Sequence, residues 1–452
     1  MRLLFIFIYL LFFSGLRSQS YHQLTDLPTL YIEVYNGDDI ISKENYIDAK
    51  IVYVDGKDIR QYENTQVRVR GNSTFYAEKK PYKLKFATKQ ALLGNNHAKA
   101  KSWTLLANHC DKTMIRNALT YDLGNFFGFS FCPAAQFVDL YLNGNYRGTY
   151  QISDQVEVRN KRVDIDENNG WLLELTDDIH KDEPYIVTDR NIYVNIKNPK
   201  DEYLTDVSLL SITEWCNKLS HSIWSEDYKS TITGYRSMIH EKSFIDWYIA
   251  TELTGNIDAF SSIYTYKDTN NALLCFGPLW DEDLGYNNSS EKDLEKCLLA
   301  FANRNHPIEE TMHHIWEDPW FAQSVYQRWK ELLDAGIQQY LLEKIDSLRN
   351  VIYQSQQENF KQWSITEPIF SFERHLYHDT YDEYVNDLKK FINHHIPFMT
   401  EEFYNHYIVT KNNSIHFPPV STNNVLYNLD GKIINTPVKH GIYIKNHQKI
   451  IY

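Results

Sequence analysis

Three aspartates and a run of lysines hold the side chains with the most chemistry in them. Asp258 precedes Ile263 to Tyr266, which is β-branched and aromatic; Asp268 to Asn271 is turn-rich, and Ala272 to Phe276 is apolar. That order reads as two short antiparallel strands around a turn. The entry to the first strand and the exit from the second then lie side by side, which brings Asp258 toward Asp281 and Asp283. Converging carboxylates repel unless a cation or a proton-transfer role compensates, so the set is a candidate active site. The plain rival is a hairpin whose acids are solvated end residues.

The complementary charge lies far upstream. Val67 to Arg70 reads as a strand and Gly71-Asn72-Ser73-Thr74 as a tight turn. After Lys79-Lys80-Pro81, the run Tyr82-Lys83-Leu84-Lys85-Phe86 alternates strictly. Tyr82, Leu84 and Phe86 face a core, which leaves Lys83 and Lys85 together on the other side. Arg70, Lys79, Lys80, Lys83 and Lys85 form a basic cluster suited to phosphate oxygens, against the alternative of a solvated strand face.

The elements that must position these groups change character along the chain. Leu30 to Val54 alternates weakly and contains turn signals, which predicts an antiparallel β entry. Trp103 to Asn108 reads as a strand, and Asp111 as the N-cap of a helix carrying Ile115, Leu119 and Leu123. Phe137 to Leu142, Arg147 to Ile152 and Trp171 to Leu175 read as further strands, the last with Glu174 inside it. From Leu204 the period becomes helical: a helix starts at Ser243 and stops at Gly255, Asp318-Pro319 starts another, and Leu341 to Ile352 and Tyr384 to Ile392 continue the pattern. The class is therefore α+β and two-lobed, with a mainly β N-terminal part and a helical C-terminal part.

The bounds of the chain agree with a folded enzyme. Its 452 residues suffice for one large or two ordinary domains, and 46 basic against 59 acidic residues give a net charge of -13, so no global attraction to nucleic acid exists. Met1 to Gly15 has one early positive charge and an apolar run of signal-peptide length, so residues 1–20 read as a secretory signal, with an uncleaved anchor as the rival. The five cysteines are widely spaced with no Cys-x-x-Cys pair, which argues against zinc knuckles and a disulfide framework. Residues 28–407 form the main domain, 408–424 a polar linker, and 425–452 a small block of short strands.

Several separated motifs then fall into one order: Arg70-Gly71-Asn72-Ser73 with Lys80-Pro81-Tyr82-Lys83-Leu84-Lys85, Trp103 to Asn108 with Asp111 and Arg116-Asn117, Asn143-Gly144 with Tyr146 and Gly148, Asn256 to Tyr266, and Gly277-Pro278-Leu279-Trp280-Asp281. Together they resemble the spore-coat protein H (CotH) kinase family over roughly Leu30 to Tyr407. The resemblance implies an atypical protein-kinase-like fold that transfers the γ-phosphoryl group of ATP to Ser or Thr of a protein. It places Asp258 in the catalytic-aspartate position and Asp281 in the metal-binding position, with Asp283 as a helper for Mg²⁺, or Mn²⁺ in its place. Lys83, with Lys85 as the competing choice, would neutralise phosphates from the β lobe beside Arg70. Glu174 and Leu175 stand where a linker between lobes would offer backbone groups to adenine.

Two positions depart from the family pattern: Asp154-Gln155 stands where Glu-Gln is common, and Asn287 where Gly is common. The last block, through Tyr427 to Gly431 and Lys439 to Ile444, resembles the sorting tails of type IX secretion and implies an encounter with the secretion machinery, at the cell surface or beyond it. The rival functions are a metal-dependent phosphoester hydrolase and a non-catalytic surface or coat component on a kinase-like fold.

Overall fold

The computed structural model describes residues 20–176, 183–291, 294–302, 304–413, 426–428, 432–434, 442–445 and 448–451. Residues 1–19 of the expected signal segment and 414–424 of the expected linker lie outside the described residues. Among the described residues no helix is long and apolar enough to cross a membrane.

Seven strands close into a barrel: β1 (Thr29–Val34), β2 (Ile47–Asp55), β3 (Asp58–Val69), β4 (Tyr82–Gln90), β5 (Ala100–Leu106), β6 (Ala135–Leu142) and β7 (Asn145–Ser153). Their order is β1-β2-β3-β4-β5-β7-β6, and the parallel pairing of β1 with β6, Thr29 beside Asp139, shuts the ring. Alternation decides which side chains fill it: Tyr82, Leu84 and Phe86 of β4 are buried with Ile32, Ile51 and Trp103, as the sequence pattern predicts.

A second, five-stranded antiparallel sheet has the order β12-β11-β8-β10-β9, from β8 (Trp171–Thr176), β9 (Tyr185–Val187), β10 (Tyr193–Asn198), β11 (Ser262–Lys267) and β12 (Cys275–Phe276). The hairpin of β11 and β12 is the expected one, but β12 is shorter than Ala272 to Phe276. The Leu274 amide donates to the Met238 carbonyl at 2.8 Å and the His240 amide to the Leu274 carbonyl at 2.8 Å, which pulls this part of the chain away from β11. Strands β9 and β10 are not anticipated by the sequence reading.

Eight α-helices are described: α1 (Arg116–Phe127), α2 (Asp206–Ile223), α3 (Glu241–Thr254), α4 (Pro307–Ile315), α5 (Pro319–Asp334), α6 (Ile337–Val351), α7 (Tyr353–Gln362) and α8 (Tyr381–Asn413). Helix α5 begins as predicted, Asp318 accepting from the Trp320 amide at 3.0 Å with Pro319 in the first turn, and buries Phe321, Val325, Trp329 and Leu332. Helix α3 starts earlier than Ser243, because the His240 ring nitrogen Nδ1 accepts from the Ser243 amide at 3.2 Å and takes the N-cap role. From Phe244 to Thr254 it is buried on all sides and forms the axis of the helical part. Helix α8 runs to Asn413, past the expected domain end at Tyr407; Thr410 is buried there and donates to the Trp316 carbonyl at 3.2 Å. The terminal block contains four short strands, β13 (Leu426–Tyr427), β14 (Ile433–Ile434), β15 (Ile442–Lys445) and β16 (Gln448–Ile451), in the order β14-β13-β15-β16. All five cysteines are free thiols.

Candidate active site

Helix α3 ends at Gly255 in the left-handed conformation (φ 55°) and delivers the chain to Asn256. Asn256 is buried, and its side chain joins the two ends of the hairpin: Oδ1 accepts from the Asp258 amide at 3.1 Å and Nδ2 donates to the Asp281 carbonyl at 3.0 Å. Asp258, Asp281 and Asp283 thereby line one cavity of about 770 Å³. Asp281 adopts φ 60°, a left-handed backbone that Asp tolerates better than most residues.

The carboxylates are electrostatically strained. Asp281 opens onto the cavity, but protein encloses it beyond that opening; this enclosure raises its pKa, Arg70 opposes the rise and Glu174 adds to it. Burial pushes Asp283 up to about 7, with Asp281 and Asp258 contributing repulsion, while the Cys110 thiol donates to its Oδ2 at 3.0 Å and draws it back. Glu282, between them, is buried away from solvent and pushed to about 8, chiefly by burial.

A frame of amides holds this acidic loop. Asn117 Oδ1 accepts from the Glu282 amide at 2.9 Å, Arg116 Nε donates to the Gly285 carbonyl at 3.0 Å, and Asn288 Nδ2 donates to the Asp283 carbonyl at 2.7 Å. Asp111 is not the residue at the α1 N-cap position, which is Ile115; its carboxylate instead accepts from the Thr113 and Arg116 amides, both at 2.9 Å, and pairs with the Arg116 guanidinium. Asn287 has φ 61°, which accounts for its standing where glycine is otherwise common.

The basic cluster divides. Lys83 and Arg70 line the cavity. Burial, with Arg68 and Arg70 nearby, lowers the Lys83 ammonium to about 8, and among the described residues that ammonium makes no hydrogen bond or ion pair. Lys85, two residues along the same face, is exposed, and its ammonium lies 5.3 Å from the Tyr46 ring centre, outside the cavity lining. Lys79 is buried and donates to the Ala107 carbonyl at 2.8 Å and the Thr149 carbonyl at 2.6 Å; Lys80 donates to the Phe75 and Ala77 carbonyls. These two cations serve the barrel rather than the cavity.

A family model described as CotH kinase protein matches residues 67–399. The chain belongs to the CotH kinase family. No curated protein matches it. The matched span contains every acid and base named above as lining the cavity, and membership suggests a kinase-like function.

Within this CotH kinase domain the linker role expected of Glu174 and Leu175 does not hold. Strand β8 lies inside its sheet, with Glu174 opposite Asn195 on one side and Tyr264 on the other, and Leu175 opposite Val194 and Ile263. Their backbone groups are committed to neighbouring strands and are not open to a base. The Glu174 side chain does reach the cavity, where it meets Lys197 at 2.8 Å and accepts from Ser262 Oγ at 3.0 Å. Asp154 pairs with Arg162 at 2.8 Å. Gln155 beside it lines the cavity, and its Oε1 is buried with no hydrogen-bond partner among the described residues. Lys43, Arg68 and Lys197 also line the cavity and were not singled out from the sequence. Arg68 stands two residues before Arg70, a signal that was legible; Lys43 reaches that turn only in the fold, donating to Asn72 Oδ1 at 3.2 Å, and Lys197 sits on the unanticipated β10.

Proposed function

We propose that the protein is a secreted, atypical protein kinase that moves the γ-phosphoryl group of ATP onto a Ser or Thr hydroxyl of a protein. The observation that carries the reading is the single cavity in which Lys83 and Arg70 share a lining with Asp258, Asp281 and Asp283. A volume of about 770 Å³ suits a nucleotide, since ligand pockets span roughly 300–1,000 Å³. In this reading the barrel and the helical part act as two lobes, and the exported chain meets its acceptor at the surface after passage guided by its terminal block.

The acids fit a divalent cation. Asp281 and Asp283 lie two residues apart, open to one cavity, and their mutual repulsion is what a cation would relieve. Among the described residues no group of three His, Cys, Asp or Glu side chains gathers as a metal cage. Mg²⁺ suits such a site because it takes one or two carboxylates and completes its shell with phosphate oxygens and water. Asp281, with Asp283, would hold that ion, which supplies charge neutralisation at the phosphates.

The remaining steps belong to the chain's own side chains. Asp258 orients the acceptor hydroxyl and takes its proton as the oxygen forms its bond to phosphorus and the bond to the leaving diphosphate breaks. Lys83 and Arg70 neutralise the phosphate oxygens, whose charge spreads in the transition state. Asn256 keeps the base and the metal-holding loop in fixed relation. The test is incorporation of labelled γ-phosphate into a Ser/Thr-containing protein by the purified chain with Mg²⁺ or Mn²⁺, alongside Asp281→Asn. Equal labelling by that variant would remove the assignment, and release of inorganic phosphate without acceptor labelling would favour a hydrolase.

A further inference from the structure

A second cavity lies behind the active one. Strand alternation sends Glu174 and Thr176 of β8 into the active cavity and Leu173 and Leu175 to the opposite face, where with Val194 of β10 and Ile263 of β11 they wall a space of about 100 Å³. Helices α2, α3 and α4 complete it. The space falls between two separate clusters of core residues, one around Leu173, Val194 and Ile212 and the other around Phe244, Trp247 and Ile263.

Four Ser and Thr hydroxyls interrupt a mostly apolar lining; Thr188 accepts from the Ile192 amide at 3.1 Å and Thr311 donates to the Pro307 carbonyl at 2.8 Å, which leaves two. Thr265 of β11 is fully buried and Ser220 of α2 nearly so, both residues line the cavity, and neither hydroxyl has a hydrogen-bond partner among the described residues. A buried hydroxyl without a partner is destabilising, and Val and Ala would fill nearly the same space without that loss. The wall carrying Ser220 is lightly packed: α2 buries only Ile212, Ser220 and Ser222 and leaves Val207 and Leu210 in solvent.

We propose that this cavity is a binding site for a small, mostly apolar molecule bearing one hydroxyl, with the size and chemistry of a phenol. Apolar cavities of about 150 Å³ take up benzene, so a space of this order, widened by a small shift of α2, matches a single ring. The ring meets the aliphatic and aromatic walls, and its hydroxyl bonds to one of the two buried oxygens. The site stands apart from the phosphoryl-transfer reading and depends on none of the acids in the active cavity.

The intact protein is titrated with phenol and, separately, with benzene, followed by ligand-observed NMR and by the fluorescence of Trp215, Trp224 and Trp247, which line the cavity. Saturable binding of one phenol is expected, about five-fold tighter than benzene, the worth of a hydrogen bond made in a dry site. In the double variant Thr265→Val with Ser220→Ala, benzene still binds and the preference for phenol disappears. Cys216→Phe, which fills the space from α2, removes both. Absence of saturable phenol binding, as for a cavity satisfied by water alone, would overturn the proposal. So would a phenol preference that survives in the double variant. Because the double variant only exchanges near-isosteric side chains, the outcome is readable even if the filled variant fails to fold.

Discussion

The two faces of the five-stranded sheet belong to the same few strands and meet opposite environments. On one face Glu174 is paired with Lys197 and accepts from the Ser262 hydroxyl; on the other, one residue away, Leu173 and Leu175 line a mostly apolar space in which the Thr265 hydroxyl has no partner among the described residues. A pleated strand forces this division, since successive side chains leave on opposite sides. The difference teaches that the sheet is a partition. Its charged side tolerates buried acids because cations and donors are close, while its apolar side is held by packing and has little to offer a stray polar atom.

The sharpest way to separate the faces is to neutralise the charged cavity. Asp281→Asn is expected to lower phosphoryl transfer by about three orders of magnitude, the usual scale for removing a group that holds charge in a phosphoryl-transfer site. Thermal melting of the same variant should be unchanged or raised, because Asp281 is an acid whose ionised form burial disfavours. A parallel loss of activity and stability would show that the acids are structural and break the partition.

The converse test empties the other side. Leu173 is buried, and Leu173→Ala is expected to cost about 2–4 kcal/mol, by lost transfer energy and the cavity left behind. Denaturant melts measure this, and activity per folded molecule should remain near wild type.

How far such contrasts could be read from the sequence depends on the range of the interaction. Alternation in Tyr82 to Phe86, the Gly255 stop and the Asp318-Pro319 start are local, and each appears where the pattern places it. Convergence of Asp258 with Asp281 follows from hairpin geometry and was legible for the same reason. Closure of the barrel was not, because β1 meets β6 in parallel across more than a hundred residues, and no neighbouring turn encodes that register. Nor could the sequence separate Lys79 from Lys83. Lys79 precedes its strand, so its direction is set by a turn that points it at two carbonyls inside the molecule. Glu174 and Leu175 were misplaced because β9 and β10 went unread, and an unread neighbour turns a central strand into an apparent linker.

Across the active cavity from the sheet, the two lysines of β4 refine the charged side. Lys83→Met is expected to reduce kcat/KM by about 10–100-fold and Lys85→Met by less than two-fold, since only the first lines the cavity. With the Lys83 ammonium lowered to about 8, its charge is present below that pH and lost above it, so kcat/KM should fall as pH rises through about 8. Lys83→Arg keeps the charge and should carry that alkaline limb upward. A limb that stays in place would assign it to another group.

The smallest effect lies on the apolar side and has the opposite sign to most substitutions. Thr265 is fully buried and its hydroxyl has no partner among the described residues, so Thr265→Val removes a polar atom and keeps the shape of the side chain. Stability without added ligand should rise by about 1 kcal/mol, the low end for an unsatisfied buried group. The matched change on the charged face, Ser262→Ala, deletes a hydroxyl that donates to Glu174 at 3.0 Å and should lower stability by about the same amount. Paired denaturant melts read both. Opposite signs would mean that the partition reaches down to single hydroxyls, whereas two losses would mean that Thr265 has a satisfied partner and that both faces of the sheet are built alike.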